Sequence, residues 1–237
     1  MPTEVERIVE WLRAEVSSAG KSAAVVGLSG GIDSATVAAL AKQAFGDRAF
    51  GVIMPCDSDP KDAEDARLVA EAIGMQHRIV DLTPVYQLLR ETLGLPDGAP
   101  RLAIANLKPR LRMITLYAEA AVRGALVLGT GNRAELEIGY FTKYGDGGVD
   151  LLPLGGFLKR EVRELARQIG VPQRTIDRQP SAGLWEGQTD EAEMGMSYAE
   201  LDQFLATGEG SAVVSGLVDN LHRASEHKRR LPSVFPR

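Results

Sequence analysis

A chain of 237 residues with 44% hydrophobic content is long enough to bury one sizeable α/β core. Its net charge of −5 argues against broad attraction to nucleic acid or to an anionic membrane surface, and no apolar run reaches membrane-spanning length, so neither is an expected partner. Cys56 is the only cysteine, which excludes an intrachain disulfide and a cysteine-based zinc site and makes the cytoplasm the expected location.

The N-terminal pattern, with Glu4, Glu6, Arg7 and Glu10 among apolar residues, predicts an amphipathic helix over Val5 to Ser17 rather than a secretion signal. Ala23 to Val26 reads as a strand that turns tightly through Gly27 to Ser34, Gly-Leu-Ser-Gly-Gly-Ile-Asp-Ser, into the alanine-rich helix from Ala35. Gly30 and Gly31 let the backbone approach a ligand, and the N–H groups opening the helix point at whatever sits in the turn. A phosphate chain suits that arrangement; a glycine turn with two capping serines is the plainer alternative. The lysine of the common phosphate loop is missing and Asp33 stands in the turn instead. A carboxylate beside a polyphosphate is repelled unless a divalent cation lies between, which makes Asp33 a candidate magnesium ligand. Ser-Gly-Gly-x-Asp-Ser resembles the signature of the PP-loop ATP pyrophosphatases, which cleave ATP to AMP and pyrophosphate.

Further along, Ala49 to Ile53 predicts a strand, Pro60 to Ile73 a helix closed by Gly74, and Gln76 to Val80 a third strand. Val85 to Leu93 is expected to be helical and Gly94 to Arg101 an irregular loop. Pro109 suits the first residue of a helix that ends at Gly124, and Ala125 to Leu128 follows as a strand. Another helix is expected from Leu158 to Ile169, and the remainder reads as helices separated by a polar stretch from Gln179 to Met196. The alternation predicts a doubly wound, mainly parallel five-stranded sheet with a helical C-terminal part, in a single domain over 1–237.

Gly129-Thr130-Gly131 follows a strand at the end where open α/β sheets place ligands. Glu135, shortly beyond, is a candidate second oxygen ligand of the same magnesium ion; taken alone it is a solvated glutamate at a helix start. Gly139 to Asp150 holds three aromatics, a lysine, two aspartates and four glycines, a poor core segment and a good ligand wall. Cys56 is expected to be a small buried residue rather than a nucleophile.

Taken in order, Gly27 to Ser34, Asn106 to Met113, Gly129 to Glu135, Tyr140 to Asp150, Pro180 to Ala182, Gly187 to Glu191 and Glu226 to Arg229 resemble the NAD synthetase family over essentially the whole chain. The resemblance implies an adenine nucleotide alpha hydrolase-like fold and a ligase that converts deamido-NAD to NAD with ATP, ammonia and magnesium, working as a homodimer and lacking a glutaminase domain. It implies that ATP is held by Gly27, Leu28, Ser29, Gly30, Gly31, Ile32, Asp33, Ser34, Thr130, Lys159 and Ser181, and magnesium by Asp33 and Glu135. It places deamido-NAD against Arg110, Lys143, Asp150, His227 and Lys228. Alone, Lys159 reads as an exposed helix-start lysine and Arg110 as a helix-surface arginine.

The expected chemistry has the nicotinate carboxylate attack the α-phosphorus of ATP, after which ammonia attacks the adenylated carbonyl. Asp33 and Lys159 are expected to assist the first step. Asp146 is the candidate that takes a proton from ammonium, and Ser181 to Asp190 is the expected lid. No nucleotide contact is assigned to Pro55 to Pro60. Another PP-loop ligase and a non-catalytic dinucleotide-binding module are the alternatives.

Overall fold

The computed structural model describes residues 2–96, 98–185 and 187–236. Helix α1 (Glu4–Ser18) opens on a capping box between Thr3 and Glu6 and buries the stripe Ile8, Val9, Leu12 and Val16. Strand β1 (Ala23–Leu28) absorbs the first two residues of the glycine segment, so the turn is confined to 29–31 before α2 (Ile32–Phe45). Strand β2 (Ala49–Ile53), α3 (Pro60–Ala72), β3 (Gln76–Ile79), α4 (Thr83–Leu93), α5 (Arg101–Ala105), α6 (Leu107–Arg123) and β4 (Ala125–Leu128) follow. Pro109 is the third residue of α6, and α5 is a short helix that the sequence reading left within a loop and its flank. The remainder is helical: α7 (Arg133–Ile138), α8 (Lys159–Gln168), α9 (Gln173–Ile176), α10 (Asp190–Met194), α11 (Tyr198–Thr207), α12 (Ala212–Ala224) and α13 (Glu226–Arg229).

The sheet is parallel with order β3-β2-β1-β4 and pairs Val26 with Gly51 and Ala24 with Leu126. Strand β1 is buried on both faces, as a central strand covered by helices must be. One face packs on α1, α2 and α8 through residues such as Leu12, Val37, Leu40 and Val162; the other packs on α6 through Val25, Val52, Ala120 and Val127.

The expected fifth strand is a correction. Beyond β4 a single parallel bridge joins Leu128 to Leu151. The Val127 N–H is bonded at 2.8 Å to the Asp150 carboxylate instead of to a strand carbonyl, and Pro153 supplies no N–H to extend the ladder. Four strands therefore form the sheet among the described residues.

The order reverses between β1 and β4, the switch point of an open parallel sheet, and both strands point their C-terminal ends into the same crevice. No helix among the described residues is long and apolar enough to cross a membrane.

Candidate active site

A cavity of about 530 Å³ lies above the carboxyl ends of β1, β2 and β4. Gly27 to Ser29 and Gly31 to Ser34 form its floor, with Thr130 and Glu135 beside them. Gly30 stands behind the floor at φ +80°, and a Cβ there would lie 2.8 Å from the Asp62 carbonyl oxygen, so both conformation and space demand glycine. The turn is held by its own serines: the Ser34 hydroxyl lies 3.0 Å from that of Ser29, accepts the Ser29 N–H and donates to the Gly31 carbonyl. The side chains of 55–59 matter more than expected, since Pro55, Ser58 and Asp59 line one wall.

Three charged groups meet on this floor. Lys159 opens α8, yet only 1% of it is exposed, a correction to the surface reading. Its Nζ donates to Asp33 Oδ2 at 2.5 Å and lies 3.8 Å from Glu135 Oε1. Burial alone would depress the Lys159 ammonium, but Asp33 and Glu135 outweigh it and hold its pKa above the ordinary lysine value. Burial, and then the neighbouring Asp33 charge, push the Glu135 carboxyl up to about 8. Asn132 locks both acids in place: its side-chain N–H donates to Asp33 at 3.1 Å, and it forms a capping box with Glu135 at the start of α7. The Asn132-x-x-Glu135 spacing carried that signal in the sequence.

A second ring of groups supports the first. Asp202 of α11 accepts the Lys159 and Arg160 N–H groups at 3.1 and 2.8 Å, capping α8 from outside and fixing where Lys159 begins. The Tyr198 hydroxyl donates to Asp190 at 3.0 Å and lies 3.3 Å from Glu135, while the Tyr140 hydroxyl donates to Glu193 at 2.5 Å. Burial raises the Asp190 carboxyl, and burial with the nearby acids raises both phenols, so the tyrosines stay donors.

The matches with known proteins follow this geometry. The family model described as NAD synthase matches residues 4–232. The chain belongs to the NAD synthase family. An NH(3)-dependent NAD(+) synthetase of Carboxydothermus hydrogenoformans is 53% identical over 98% of this chain and 96% of its own length. Among solved structures, an NMN synthetase from Francisella tularensis superposes with a TM-score of 0.92 at 38% identity, covering 98% of this chain and 97% of the other. An NH3-dependent NAD synthetase from Campylobacter jejuni gives 0.81 at 25% identity, with the same coverages.

Within this NAD synthase family fold, the residues singled out from sequence divide into two groups. Asp33, Glu135, Lys159, Thr130, Ser181, Asp146 and Lys228 all line the cavity. Asp146 accepts the Thr142 N–H at 2.9 Å and stands at the open cavity wall; protein on its inner side pushes its carboxyl above the usual range. Lys228 donates to the Gly139 and Phe141 carbonyls, each at 2.8 Å, tying α13 to the segment that carries Asp146. Its ammonium is lowered, chiefly by partial burial.

Arg110, Lys143, Asp150 and His227 do not line the cavity. Arg110 reaches the Lys143 carbonyl at 3.5 Å and Lys143 donates to the His227 carbonyl at 2.6 Å, forming a short chain on the surface. The Asp150 carboxylate is held by Val127 and by the Tyr117 hydroxyl at 3.1 Å. Burial and Asp150 push that phenol up to about 12, so it remains a donor at neutral pH.

The expected lid residues Ser181 to Leu184 and Gln188 form the roof; Glu186 lies outside the described residues. Gln188 organises the roof by accepting the Leu184 N–H and the Ser181 hydroxyl. Lys108, only 4% exposed, was missed by sequence reasoning. It donates to the Leu184 carbonyl at 2.9 Å and to the Asp57 carbonyl at 2.7 Å, joining the roof to the loop after β2. Cys56 is fully buried and free.

Proposed function

We propose that the chain catalyses the ATP-dependent amidation of deamido-NAD by ammonia, giving NAD, AMP and pyrophosphate. The observation that carries this reading is the convergence of Asp33, Glu135 and Lys159 on a glycine turn between two strand ends, inside a cavity whose far wall carries Asp146. Membership of the NAD synthase family and the names of the ammonia-dependent relatives support it.

In the first step a nicotinate carboxylate oxygen bonds to the α-phosphorus, and the bond from that phosphorus to the bridging oxygen breaks to release pyrophosphate. The opening N–H groups of α2 and the Lys159 ammonium are placed to stabilise charge on the phosphate oxygens. In the second, ammonia attacks the acyl carbon, the carbon–oxygen bond to AMP breaks, and the nitrogen sheds a proton. Asp146 supplies a carboxylate for the proton released from ammonium.

Asp33 and Glu135 fit a magnesium ion: both are oxygen donors, and the upward push on Glu135 shows that their paired negative charge is only partly offset by one lysine. Two protein carboxylates are what such an ion uses when phosphates complete its shell. Magnesium bound there would neutralise charge developing on the phosphate oxygens. Leu184 and its neighbours would exclude water from the activated carboxyl.

The homodimer belongs to the same proposal. Val85 and Leu88 on α4 and Ile114 and Val122 on α6 are more than half exposed, apolar surface of the kind that subunit contacts cover. The buried, free Cys56 is in keeping with a cytoplasmic setting.

Purified protein incubated with deamido-NAD, magnesium ATP and ammonium tests the reading. NAD, AMP and pyrophosphate in equal amounts are expected; ADP as the nucleotide product, or no NAD, contradicts it.

A further inference from the structure

The groups at the reacting centre and those assigned by resemblance to the long acceptor are separated in space. Lys228 is the one residue of the latter set that lines the cavity. A lysine ammonium has three N–H donors, and Lys228 spends two on the Gly139 and Phe141 carbonyls, leaving one. Of the other cavity-lining cations, Lys159 is paired with Asp33, and Arg178 with Asp62 and Asp65. Among the described residues Lys228 and Arg112 have no carboxylate within salt-bridge distance, Arg112 being held by the Met54 carbonyl and the Ser58 hydroxyl. These two cations are therefore available to a phosphate group that is not part of ATP.

Beyond them, recognition moves outside. Arg110, Lys143 and His227 follow one another along the exposed surface, and none lines the cavity. The enclosed space thus offers a place for a pyridine carboxylate, its ribose and a single phosphate; the adenylyl half of a dinucleotide would meet only the outer chain. A volume of about 530 Å³ already has to serve ATP as well.

We infer that this chain also amidates the mononucleotide acceptor, nicotinate ribose 5′-phosphate, with Lys228 meeting its phosphate. The inference rests on the ATP-dependent amidation proposed above and extends it to a shorter substrate. Atoms balance as for the dinucleotide: the carboxylate oxygen bonds to the α-phosphorus as pyrophosphate leaves, then nitrogen bonds to the acyl carbon as AMP leaves with that oxygen. No oxidant or reductant is required.

The test measures amide formation by the full chain from each acceptor, with magnesium ATP and ammonium, in the wild type and in Arg110→Ala. Because the adenylyl half adds only rim contacts, kcat/KM for the mononucleotide should lie within about 100-fold of that for the dinucleotide. Arg110→Ala should raise the mononucleotide-to-dinucleotide ratio of kcat/KM by about tenfold, through KM. Amide from the dinucleotide but none from the mononucleotide overturns the inference and leaves the proposed reaction standing, and so does a ratio that Arg110→Ala leaves unchanged or lowers. Amide from neither overturns the proposed reaction itself.

Discussion

The ammonium of Lys159 donates to the Asp33 carboxylate at 2.5 Å, joining the start of α8 to the glycine turn after β1. A buried cation set between two acids is both a structural tie and a phosphate-binding group, and substitutions separate the two uses.

Asp33→Asn keeps shape and removes charge. NAD formation at ordinary magnesium should fall by at least about 100-fold, while the far-UV spectrum and melting profile stay native. Near-normal turnover in a folded variant would remove Asp33 from the mechanism.

Lys159→Met leaves Asp33 and Glu135 facing each other without their shared cation. Removing one partner of a buried pair costs about 3 kcal/mol, and the partly exposed acids place this case toward the lower end. Magnesium should restore more melting temperature in this variant than in the wild type, because it binds the folded acids. A magnesium response equal to that of the wild type would contradict the placement of the ion.

Asp202→Ala removes the carboxylate that caps α8. Stability should drop by about 1–2 kcal/mol, measured by chemical denaturation. Activity should fall too, since the Lys159 backbone loses its anchor, although Asp202 does not line the cavity.

Asp146 bears on the pH profile. Its carboxyl is raised, first by burial, and it accepts a proton only when ionised. The rate should therefore decline as pH falls, beginning at a higher pH than an ordinary carboxylate would give. Asp146→Asn should abolish that acidic limb and lower kcat; an unchanged limb would assign it to another group.

The glycine turn was legible because its signal is local: strand, turn and helix occupy consecutive residues, and Asp33 is explained by its own neighbours. The burial of Lys159 was not, because its partner Asp33 lies 126 positions away and only the closed sheet brings them together. Asp202, 43 positions from Lys159, was hidden for the same reason. The fifth strand failed on a side chain: an aspartate that reads as a ligand group in sequence serves as a backbone acceptor at the edge of β4. Arg110, Lys143 and His227 read as one set with Lys228, yet helix direction in α6 and α13 keeps three of them outside the cavity.

The most direct test follows the carboxylate oxygen. Deamido-NAD labelled with 18O in its carboxyl group is converted in the presence of magnesium ATP and ammonium, and the released nucleotide is weighed by mass spectrometry. The adenylation account predicts one labelled oxygen in the phosphate of AMP for each NAD formed. Label in pyrophosphate, or AMP that carries none while NAD accumulates, would contradict it.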